Sequence, residues 1–154
     1  MATTTQDAVY RGILTDLAAA AGSIGINSNY MFVSPFARFV QLDDKYLQLI
    51  PGVPVVETSD SGIGLVTEDF KIVVWLRLYL DQIGDSTEKI TNDTLGIMDT
   101  MGDIRQALIQ GDANETVTIP IVWTEGGVPS EDADHPGWVY YEDSYRMGWE
   151  IVWT

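Results

Sequence analysis

The residues best suited to chemistry lie together in one short segment, Glu131-Asp132-Ala133-Asp134-His135-Pro136, which holds the chain's single histidine. Zinc accepts imidazole and carboxylate ligands, and calcium takes several carboxylate oxygens, so these residue types permit a metal centre. Their spacing matches no metal-binding loop. The other acidic stretch, Asp81 to Asp93, lacks the glycine and closing glutamate of an EF-hand. We therefore expect Glu131, Asp132, Asp134 and His135 to form a mobile, metal-free loop. A catalytic triad needs a base beside its nucleophile, and one histidine without any cysteine leaves little to build one from. No glycine-rich loop leads into Lys and Ser or Thr, and Gly62-Ile63-Gly64 lacks the third glycine of a dinucleotide fingerprint. With 23 Asp and Glu, carboxylate pairs arise by chance, so none marks a glycosidase. Five Trp and seven Tyr, dense from Trp123 onward, suit a sugar platform or an interface, but most alternate as strand core does. The expectation is a protein that is not an enzyme, with no catalytic residues, no cofactor and no metal.

Charge narrows the partners. Eight Lys and Arg face 23 Asp and Glu, for a net charge of −15. Nucleic-acid affinity rests on phosphate neutralisation. The basic residues Arg11, Arg38, Lys45, Lys71, Arg77, Lys89, Arg105 and Arg146 are scattered, so tight DNA or RNA binding is disfavoured. At 154 residues the chain suits one domain, 1–154, and its 45% hydrophobic content is that of a folded protein. The lack of cysteine rules out disulfides and agrees with a reducing cytoplasm, or with a particle assembled there. No apolar run reaches the roughly 18 residues of a membrane span, and the first residues do not read as a secretory signal.

The elements that must position these residues follow from periodicity. Val9, Ile13 and Leu17, with Tyr10, Leu14 and Ala21, recur at helical spacing and predict a helix over Gln6–Ala21. Thr3 with Gln6 suggests a capping box, and Gly22 a left-handed stop. Tyr30 to Val33 and Phe36 to Leu42 read as extended chain broken by Pro35, and Tyr46 to Ile50 as a short strand. Ser59 to Gly64 reads as a hairpin tip. The clearest strand is Phe70 to Leu80. One of its faces is wholly apolar. The other, with Val73, Trp75 and Tyr79 among charged residues, is half apolar and must meet a helix or a neighbouring subunit. A second helix is expected over Asn92–Gln110, then a strand Val117–Trp123 that Pro120 confines to an edge or bulge. An exposed loop Glu125–Pro136 and an alternating strand Tyr145–Trp153 follow. The fold class is α+β: a single domain with a mixed, mostly antiparallel sheet of about four to six strands and two flanking helices.

This order of elements resembles the tail terminator (tail completion) proteins of long-tailed bacteriophages. It runs from the N-terminal helix through Ile50-Pro51-Gly52-Val53-Pro54, the long strand from Phe70 and the helix near Asn92 to the terminal strand Tyr145–Trp153. The resemblance covers nearly the whole chain but lies in element order; it transfers no functional residue. It implies a virion protein, assembled in the host cytoplasm, that forms a hexameric ring on the tail tube. Such a ring stops polymerisation, joins tail to head and contacts tube and connector proteins, with DNA only as cargo through an acidic lumen. Candidate interface residues are Trp75, Tyr79, Phe36 and Phe39. A different neck, connector or tube subunit is the alternative, and a carbohydrate-binding or hydrolytic domain a further one.

Overall fold

The alternation around Phe70 becomes the centre of one sheet. The computed structural model describes residues 5–40, 44–60, 63–77, 87–127 and 129–152. Its elements are α1 (Gln6–Ala19), α2 (Ala21–Ile24), β1 (Met31–Val33), β2 (Lys45–Ile50), β3 (Val55–Asp60), β4 (Ile63–Arg77), α3 (Thr87–Gln110), α4 (Asp112–Thr116), β5 (Ile119–Gly126), β6 (Ser130–Glu131) and β7 (Trp138–Val152).

Strands β4 and β7 pair antiparallel along their whole length, from Ile63 opposite Val152 to Arg77 opposite Trp138. On its other side β4 is shared: β3 takes Ile63 to Thr67 and β2 takes Lys71 to Leu76. β1 adds to β2 in parallel, and β5 and β6 add to β7. Among the described residues this makes a seven-stranded sheet of order β1-β2-β4-β7-β5, more strands than expected but of the expected mixed, mostly antiparallel kind. Pro120 stands where its missing N–H does least harm. It lies in edge strand β5, inside a register shift between Ile119 and Val122.

The helices cover one face. Val9, Tyr10, Ile13 and Leu17 of α1 and Met101, Ile104 and Leu108 of α3 are buried against Leu47, Leu49, Phe70, Ile72, Val74, Tyr145, Met147 and Trp149. Each fully buried aliphatic side chain contributes roughly 1.5–3 kcal/mol, so this layer dominates stability. The helix ends differ in detail from expectation. Thr5, rather than Thr3, caps α1, its hydroxyl accepting from Ala8 N at 3.2 Å. The left-handed stop is Gly25 (φ 78°), after the extra turn α2 that buries Ile24, and not Gly22. Asp16 of α1 caps α4 from outside, accepting from Asp112 N at 3.2 Å and Ala113 N at 2.9 Å. Helix α3 begins at Thr87, earlier than the apolar spacing suggested.

The stretch Phe36 to Val40 makes no strand. Parallel strands need a connection that crosses from one end of the pair to the other. Residues 34–40 run from β1 onto the sheet's second face, and this places Phe39 against Trp75.

Candidate functional site

The second face carries the half-apolar row that called for a cover. Tyr46, Ile50, Val73, Trp75 and Trp138 form a small buried cluster there, and Phe39 packs on it from the crossing segment. The Phe39 ring meets Trp75 at 5.8 Å and Trp138 at 4.9 Å, both edge-on. At the centre lies Gln48, wholly buried and bonded through both its amide oxygen and its amide nitrogen. Its Oε1 accepts from Trp75 Nε1 at 3.0 Å and from Arg38 N at 3.3 Å, while its Nε2 donates to Arg38 O at 2.6 Å. The Tyr46 hydroxyl accepts from Val40 N at 2.9 Å, and burial pushes that phenol up to about 12. These bonds clamp the crossing segment without a strand ladder.

Trp75 is therefore only 4% exposed, covered by its own chain and not by a neighbouring subunit. That corrects the premise on which it stood as an interface residue: one domain does have elements left to cover this face. Phe39 is half-buried in the same cluster, and Phe36 stays 56% exposed. Tyr79 lies outside the described residues.

The segment expected to be an exposed loop from Glu125 to Pro136 is exposed along much of its length but is paired into the sheet at two points. Glu125 and Gly126 end β5, and Ser130 and Glu131 pair with Tyr140 and Val139 of β7. Asp132 accepts from Asp134 N at 3.0 Å and lies 2.9 Å from His135 Nδ1. That contact with His135 holds the Asp132 carboxyl below its usual range. The His135 ring stacks on Phe39, centroids 3.8 Å apart, and closes the aromatic cluster from the far side. The acids here shape a turn and its histidine lid. Among the described residues no group of three or more His, Cys, Asp or Glu is arranged to hold a metal ion.

Two polar centres on the helix face escaped the sequence reading. Asp143 is wholly buried and receives Arg105 Nε at 2.7 Å, Arg105 Nη2 at 2.9 Å and the Tyr145 hydroxyl at 3.0 Å. Glu68, 2% exposed, accepts from the Tyr10 hydroxyl and from Gln6 Nε2, and burial raises its carboxyl above the usual range. Beside it Gly52 passes so close to β4 that a Cβ would sit 1.6 Å from Asp69 O, so only glycine fits. The signal was present in the spacing: Glu68 is in phase with Phe70 and Ile72, and Asp143 with Tyr145 and Met147. Both centres tie elements together.

What remains for a partner is apolar surface at the two lateral ends of the sheet and over its second face. Val33, Val55 and Val56 are exposed on the side of β1 and β3, Val122 and Trp123 on β5, and Phe36 is exposed over the second face beside Ile50, Lys71 and Glu142. Trp123 lies under the Arg105 guanidinium, 3.9 Å from the ring centre. With Trp75, Trp138 and Trp149 buried, the described tryptophans do not line up as a sugar platform.

No protein-family profile and no curated protein matches the sequence. Among solved structures, a chain described as "Virion of native gene transfer agent (GTA) particle" matches with a TM-score of 0.58 and 12% identity. The match covers 91% of this chain and 92% of that one, so the two share one fold over nearly their full length.

Proposed function

We propose that this chain is a virion structural protein, a tail terminator that closes into a homo-oligomeric ring at the head-proximal end of a tail tube. The observation that carries this reading is the fold shared over nearly the full length of both chains with a component of a gene transfer agent virion. The order of elements that resembles tail terminators agrees with it, and so do two apolar sheet ends on one chain. In the ring, six copies stop tube polymerisation and present a docking surface to head–tail connector proteins. A lumen drawn from a chain of charge −15 repels DNA, which passes through as cargo without sticking. The protein resides in the tail or neck of the particle after assembly in the host cytoplasm.

Native mass spectrometry and negative-stain microscopy of the purified protein test the reading. The expected result is one closed ring that stays intact or strengthens as salt rises, because screening weakens the acidic repulsion more than apolar burial. A tube that keeps growing assigns the chain to tube subunits instead. A monomer at high concentration, in both low and high salt, rules out the self-closing ring.

A further inference from the structure

The segment around Phe36 is exposed without being loose. Ser34 is buried, its N donates to Leu49 O at 2.9 Å, and its hydroxyl donates to Phe36 O at 2.7 Å. Gln48 holds both the N–H and the carbonyl of Arg38. Phe36 and Arg38 thus stand on a backbone fixed before any partner arrives, which lowers the entropy lost on docking.

Arg38 is also the exception among the arginines. Arg11 pairs with Asp7 at 2.8 Å, Arg77 with Asp44 at 3.9 Å, Arg105 with Asp143 at 2.7 Å, Arg146 with Asp69 at 2.8 Å and Lys71 with Glu142 at 2.9 Å. Among the described residues the exposed Arg38 side chain has no acidic partner. In a chain of charge −15, a rigid corner with an unpaired arginine beside an exposed phenyl ring calls for a surface that is apolar and acidic.

The same chain carries such a surface on its edge strand β5. On β5, Val122 is 47% exposed, Trp123 46%, and Glu125 is exposed with no ion pair among the described residues. Arg105 holds the Trp123 indole in place from behind. We infer that copies of this chain join head to tail, the Phe36–Arg38 corner of one seating on Val122, Trp123 and Glu125 of the next. The inference rests on the ring reading above and supplies its contact. Two unlike patches on one chain give a heterologous contact, which repeats from copy to copy until rotation closes it.

The test uses charge reversal and engineered cysteines in the full chain. Arg38→Glu and Glu125→Arg are each expected to weaken the contact about tenfold and shift native mass towards monomer. The combined variant is expected to reassemble. Both side chains are exposed, so far-UV circular dichroism and melting temperature should stay at wild-type values. The chain has no native cysteine, so Phe36→Cys/Val122→Cys should give, on oxidation, a ladder of cross-linked chains ending at the ring. Mixing the two single-cysteine variants should give a heterodimeric cross-link. If the wild type forms rings that survive both single reversals and no ladder appears, the contact is overturned while the ring stands. If the reversals spare the ring but abolish binding to tail tubes, this surface docks the tube and the self-contact is likewise overturned. A wild type that stays monomeric at high concentration in low and high salt overturns both.

Discussion

The guanidinium of Arg105 grips the carboxylate of Asp143 through hydrogen bonds of 2.7 and 2.9 Å, tying α3 to β7 beneath the edge strand. Asp143 is wholly buried, and Arg105 also lies 3.3 Å from the Tyr141 hydroxyl. Removing one partner strands a charge inside the protein, at a cost of about 3–5 kcal/mol. Asp143→Asn and Arg105→Met should each lower the urea midpoint sharply. The double variant Arg105→Met/Asp143→Leu, with no buried charge left, should be far less unstable than the two losses added together. Strict additivity in that cycle would contradict the pairing.

Glu68 makes stability depend on pH in the opposite sense from a salt-bridged acid. Burial raises its folded pKa, against the hydrogen bonds from Tyr10 and Gln6 that favour the charged form. Between the unfolded and the raised folded values the native state holds the extra proton, so stability from this group falls as pH rises through that window. It is fully present below the ordinary carboxylate range. Glu68→Gln keeps the hydrogen-bonding shape and removes the ionisation. The melting temperature of the variant relative to wild type should therefore increase from pH 4 to pH 7, and a difference constant with pH would contradict the account.

β7 is indispensable to the sheet, because it pairs with β4 along all of that strand and buries Tyr145, Met147 and Trp149. Each buried aromatic contributes roughly 3 kcal/mol or more, so a chain ending near Ser144 loses more than the net stability of an ordinary domain. That truncation should be insoluble or molten by near-UV circular dichroism. A soluble fragment with a cooperative melt would disprove the central place given to this strand.

Local periodicity determined the two elements that matter most for the core. Helical spacing of Val9, Ile13 and Leu17 marked the face α1 buries, and the alternation from Phe70 and from Tyr145 marked β4 and β7. Such patterns record which side of an element is dry, and that is a property of neighbouring residues alone. The composition likewise set the acidity of the surface. Only the tertiary structure decided what makes each surface dry. The row Val73, Trp75 reads the same whether a second subunit or the chain's own crossing segment lies on it, and here Phe39, Gln48 and His135 provide the cover. Equally, Glu68 and Asp143 looked like two of many acids until Tyr10 and Arg105, each distant along the chain, met them inside the core. Contacts between residues dozens of positions apart depend on strand order and crossover path, and neither is written in the local pattern of any one segment.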